Sequence, residues 1–75
     1  MNTTDFINNF VELFDDVPAG VTVETKFREL EEWSSLVALG VMAMIDEEYD
    51  VQINAEEMRS AKTIEDLIRI VESHI

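Results

Sequence analysis

Residues 36 to 45 read LVALGVMAMI, a run in which only Gly40 interrupts apolar side chains. The apolar spacing of the chain is helical almost throughout, and this run carries apolar groups on every side of its helix. Such a helix is either wholly buried or keeps one side for a partner. It is too short to span a bilayer. A chain of 75 residues cannot wrap a helix completely, so part of this one is expected to face outward.

Cysteine is absent, which excludes a disulfide framework, a thiolate metal site and a cysteine nucleophile. The chain must hold together by helix packing, and a hydrophobic fraction of 47% supplies the core for it. Its surface is strongly acidic: 17 Asp+Glu against 5 Lys+Arg give a formal net charge of −12. Phosphate backbones and anionic lipid surfaces repel such a surface, so neither nucleic acid nor membrane is an expected partner. A basic protein partner is the natural complement. The start, MNTTDFINNF, has neither the positive charge nor the apolar stretch of a signal peptide, and a cytoplasmic location is expected.

Four helices are predicted, within one domain spanning 1–75. Phe6, Ile7, Phe10, Val11 and Phe14 recur at helical intervals, giving a first helix over about 4–15 that starts at Thr3 or Thr4. Asp15, Asp16, Pro18 and Gly20 then interrupt the chain. A long connection follows over 16–34, with Val21, Val23 and Phe27 available to pin it. The second helix runs from Ser34 or Ser35 to about Tyr49, and VQI forms an extended link. Asn54 with Glu57 fits a capping box for a short third helix through Ser60. Thr63 with Asp66 starts the fourth, whose stripe is Ile64, Leu67, Ile68, Val71 and Ile75. The expected fold is therefore all-α: a small four-helix bundle with a long loop between helices 1 and 2.

At 3.6 residues per turn, Ala38, Val41, Met42, Ile45 and Tyr49 share the face suited to the core. Leu36, Gly40, Ala43 and Glu47 lie opposite, flanked by Val37 and Met44. This outward set is small or apolar near its start and acidic towards Asp46, Glu47 and Glu48. At the head of the helix stand two serines. Ser34 precedes the helical run, where its hydroxyl oxygen can accept from an unpaired first-turn amide. Ser35 then becomes the first helical residue, its hydroxyl at the positive end of the helix dipole, a favourable place for a phosphodiester. Spacing alone leaves open that both are ordinary helix-start residues. His74 is the chain's one histidine, and nothing in sequence pairs it with either serine as a general base. DEEYD lacks the alternation of a calcium loop, and no metal site is expected.

The stretch WSSLVALGVMAMIDEEYDVQI resembles the D-S-L motif of the acyl carrier proteins and the related peptidyl carrier domains. In that family the motif precedes an amphipathic helix that ends in acids, an aromatic and an extended link. NAEEMRSAKTIEDLIRIVESHI is similar to the family's short third helix and Thr-initiated fourth. The resemblance covers essentially the whole chain. It implies a monomeric carrier without catalytic activity, with 4′-phosphopantetheine attached to Ser35 and Ser34 as the helix cap beside it. The arm would hold acyl or aminoacyl groups as thioesters. Implied partners are a phosphopantetheinyl transferase and acyl-activating and acyl-transferring enzymes. They would dock on Leu36, Val37, Gly40, Ala43, Met44 and Glu47, beside Glu56 and Glu57. Two departures stand out. Ser34 replaces the family's Asp, keeping the cap and removing a charge. Val37 and Gly40 stand where members used in fatty-acid synthesis usually carry acids, which implies a specialised pathway. An unmodified carrier-like domain serving as a protein-interaction module is the alternative reading.

Overall fold

Fifteen side chains, all of them hydrophobic, form one buried cluster, and the elements are arranged to supply it. A computed structural model describes residues 1–75. It contains four helices and no strand: α1 (Thr3–Val11), α2 (Ser35–Tyr49), α3 (Ala55–Ser60) and α4 (Ile64–Ser73). A single 3-10 turn, Phe27–Glu29, interrupts the long connection from α1 to α2. The small four-helix bundle expected from the apolar spacing is the fold observed.

Helix α1 contributes Phe6 and Phe10, and α4 contributes Ile64, Leu67, Ile68 and Val71. From α2 come Val41, Met44 and Ile45. The start of α1 differs from the expected Thr3 or Thr4, because Asn2 is the cap and its side-chain oxygen accepts from the Asp5 amide at 3.0 Å. Its end also comes early. Beyond Val11 the amides of Leu13 and Phe14 reach back three residues, to Phe10 and Val11, so the chain tightens while keeping Phe14 in the core.

The long connection is pinned from within. Phe27 is fully buried, its ring 4.7 Å from that of Trp33, and both lie against Phe10. Its backbone also serves α4: the amides of Ile64 and Glu65 donate to the carbonyls of Thr25 and Val23 at 3.2 and 2.8 Å. These are first-turn donors that would otherwise lack acceptors. Gly20 turns the loop at φ +72°, a conformation that side-chain-bearing residues rarely adopt. Helix α2 closes at Asp50, left-handed at φ 55°, with its amide donating to the Asp46 carbonyl at 3.0 Å.

Capping boxes begin both short helices of the C-terminal half. Asn54 accepts from the Glu57 amide at 2.8 Å, and Glu57 accepts from the Asn54 amide at 3.1 Å. Thr63 and Asp66 repeat the arrangement, with the Lys62 amide also donating to Asp66. His74, which no local pattern pairs, has its Nε2 2.8 Å from Glu57 Oε2, tying the end of α4 to the start of α3.

These contacts hold both carboxyls below their usual range. For Glu57 the His74 ring has the largest influence, followed by the Asn54 amide. For Asp66 the Lys62 and Thr63 amides lead. A carboxyl with a depressed folded pKa contributes stability above its unfolded pKa and loses that contribution as pH falls through the folded value. The urea midpoint is therefore expected to drop as pH falls from about 5 through and below the ordinary carboxylate range of about 4. The double variant Glu57→Gln, Asp66→Asn should flatten that drop. A fall equally steep in the variant would place the acid sensitivity elsewhere.

Candidate functional site

At the head of α2 the two serines are used differently. Ser34 is extended, at φ −155° and ψ 172°, and its hydroxyl oxygen accepts from the Val37 amide at 3.3 Å. Its carbonyl accepts from the Ala38 amide at 2.9 Å. Ser34 is thus the N-cap, as its place before the apolar run suggested. Ser35 is the first helical residue and is exposed, and its hydroxyl takes part in none of the hydrogen bonds of the chain. The amides of Ser35 and Leu36 likewise find no acceptor within the chain, so an anion at this point meets free N–H groups and the positive helix end.

A groove of about 600 Å³ opens beside this hydroxyl, between the first half of α2 and α3. Ser34 and Ser35 stand at it, and Trp33, Ala38, Met42 and Met58 supply apolar wall. Trp33 is oriented by its near-parallel stacking on Phe10 and its edge contact with Phe27. Arg28 lies over the Phe27 ring and donates to the carbonyls of Met58 and Ala61 at 2.7 and 3.0 Å. These charge-assisted bonds tie the loop to the end of α3 and hold that wall in place. Arg59 completes the lining.

The outward stripe of α2 is rotated from its expected position. Leu36, at 78% exposure, Ala43 and Glu47 face solvent as expected, and so does Glu56 on α3. Met44, expected on the docking flank, is 8% exposed and belongs to the core. Gly40 is half-buried: a Cβ built on it would stand 3.7 Å from Leu13 Cδ2. Val37 is also half-buried against the core. Glu57 is partly exposed, but its carboxylate is occupied by the Asn54 amide and by His74. Leu39, assigned no role from sequence, is 61% exposed and lies between Leu36 and Ala43. Ala38 and Met42, expected in the core, are half-buried and line the groove. The residues after α1 cover one side of α2, while the groove leaves the other side open. In a helix apolar all round, no periodicity signals which side a neighbour will cover.

Comparison with known protein families matches residues 6–71 to the family described as PP-binding, the phosphopantetheine attachment site. The chain belongs to this family, that of the acyl carrier proteins. The match leaves out only residues 1–5 and 72–75 and takes in the head of α2, the groove and all four helices, save the first turn of α1 and the last two residues of α4. Comparisons with curated proteins and with solved structures return no match. Carrier domains of this family hold a covalently attached 4′-phosphopantetheine and work with a phosphopantetheinyl transferase and acyl-handling enzymes. The residues at the head of α2 fit that group: an exposed, unengaged hydroxyl, free first-turn amides and an adjoining apolar groove. No helix of the carrier is long and apolar enough to cross a membrane.

Proposed function

We propose that Ser35 is the attachment point of the arm and that 1–75 forms one carrier domain of a specialised acyl or aminoacyl transfer pathway. The observation that carries this reading is the division of labour at α2. Ser34 spends its hydroxyl on the Val37 amide, and Ser35 keeps its own exposed and unengaged. The chemistry required of this chain is limited to presenting that hydroxyl. When bound, the arm supplies a thiol on which cargo is held as a thioester. The carrier itself supplies no catalyst; its residues orient the arm and offer the groove and the outward stripe of α2.

Partner enzymes are proposed to dock on Leu36, Leu39 and Ala43, with Asp46, Glu47 and Glu48 meeting a basic rim. Glu56 lies beside this surface. The apolar half of the stripe adjoins the arm, so docking should depend less on salt than it would with acids at Val37 and Gly40. That pattern supports a dedicated pathway, in which the carrier is proposed to act as a cytoplasmic monomer that meets its enzymes by diffusion. Incubation of the apo protein with a phosphopantetheinyl transferase and coenzyme A tests the reading by intact mass. One added phosphopantetheine is expected. No addition with several transferases would favour the unmodified interaction module, the reading that Ser34 in place of the family's Asp supports.

The neutral cap makes a separate prediction. Ser34→Asp keeps an acceptor for the first-turn amides and adds a negative charge at the positive helix end, worth roughly 0.3–1 kcal/mol. Its urea midpoint should rise relative to the natural protein at low salt, and the gain should shrink at high salt. A salt-independent loss of stability would show that the Ser34 side chain does more than cap.

A further inference from the structure

Three of the four surface depressions of the molecule are lined by carboxylates and by no cation. The groove beside Ser35 reverses this pattern. It contains Arg28 and Arg59 and no acid, in a chain where Asp and Glu outnumber Lys and Arg by 17 to 5. The two arginines are not equivalent. Arg28 is engaged by the carbonyls of Met58 and Ala61. Arg59 makes no ion pair and no side-chain hydrogen bond; the pairs of the chain are Arg69 with Glu65 and His74 with Glu57. An unpaired guanidinium on the wall of an apolar groove is a recognition group for a planar anion.

We propose that Arg59 selects the cargo: an acyl group with an apolar body and a terminal carboxylate, the half-thioester of a dicarboxylic acid. This rests on Ser35 carrying the arm. The body would lie on Trp33, Ala38, Met42 and Met58, and the far carboxylate would pair with the Arg59 guanidinium. A groove of about 600 Å³ falls within the range of small-molecule sites. The phosphate of the arm is the competing anion. Bonded to Ser35, it lies at the start of α2, where the free amides of Ser35 and Leu36 already receive it. Arg59 stands on α3, the opposite wall, and is left for the distal end of whatever the arm holds.

The test compares glutaryl and pentanoyl cargo, which have the same carbon count and differ by the terminal carboxylate. Both are loaded from their coenzyme A thioesters by a transferase that accepts acylated donors, on the natural protein and on Arg59→Gln. Intact mass verifies loading. Cleavage of each thioester by hydroxylamine is measured relative to the same thioester on free coenzyme A. On the natural protein the glutaryl thioester should be cleaved about two- to fivefold more slowly than the pentanoyl one, the range expected of a partly solvated ion pair. Arg59→Gln should abolish that ratio by speeding cleavage of the glutaryl thioester. The fluorescence of Trp33, the chain's single tryptophan, should shift with glutaryl cargo and lose that shift in the variant. Equal protection of the two cargoes, or a ratio that survives Arg59→Gln, overturns the inference alone. So does an Arg59-dependent Trp33 shift in the unacylated holo protein, which would assign the guanidinium to the arm's phosphate. Failure of any loading sinks the carrier reading and this inference with it.

Discussion

Ser35→Ala is expected to gain no mass when incubated with a phosphopantetheinyl transferase and coenzyme A, while Ser34→Ala still gains one phosphopantetheine. The effect on Ser35 should be complete, because the bond to phosphorus needs an oxygen that alanine lacks. Ser34 acts on the same site indirectly. Its loss leaves the Val37 amide without its acceptor and should cost about 1 kcal/mol of stability, the usual value of a lost N-cap. Fraying of the first turn of α2 would then slow labelling without stopping it. Ser34→Asp restores an acceptor and should restore the rate. Circular dichroism of Ser35→Ala should match that of the natural protein, since the exposed Ser35 hydroxyl supports nothing else in the fold. Labelling that survives in Ser35→Ala and vanishes in Ser34→Ala would reverse the assignment of the two hydroxyls.

Phe27→Ala is expected to bring the protein close to unfolding. Truncating a buried phenylalanine typically costs 3–5 kcal/mol, from lost burial and the cavity left behind. A chain of 75 residues has a total stability on the order of 4–11 kcal/mol, scaling by length. Phe27 is fully buried and is the chief apolar anchor of the connection between α1 and α2. Its loss also leaves Trp33 without its edge partner and Arg28 without the ring beneath it. The groove wall should loosen with the core, so near-ultraviolet dichroism from Trp33 should collapse ahead of the helical signal. A urea midpoint lowered by the equivalent of less than about 1.5 kcal/mol would mean that the connection is held by its backbone bonds to α4 instead.

Local chemistry made much of this molecule legible in its sequence. Asn54 with Glu57, and Thr63 with Asp66, are reciprocal caps whose partners lie three residues apart, so their spacing alone carries them. The stripe of α4 is similarly explicit from Ile64 to Val71, because polar residues bound it on both sides, whereas Ile75, expected to continue it, lies beyond the helix and is exposed. Even the head of α2 could be read residue by residue: a cap must precede the first helical residue, which separates Ser34 from Ser35. The end of α1 was less accessible, since Phe14 continues the apolar spacing although the backbone has already tightened into three-residue turns.

What stayed hidden involves groups distant in sequence. Nothing local pairs His74 with Glu57 across 17 residues, or sends Arg28 to carbonyls at Met58 and Ala61. Nor could spacing show that Leu39 is open to solvent and Met44 is not, because every side of α2 offers apolar groups. The order of the chain therefore established the helices, the caps of α3 and α4, and Ser34 as the candidate cap of α2, but not Asn2 as the cap of α1. Tertiary packing alone decided which side of that helix stays free, and it brought Trp33, Met58 and Arg59 together with Ser35 around one groove. The physical reason is range: caps and periodicity act within a turn or two of helix, whereas a groove exists only once separate elements have docked.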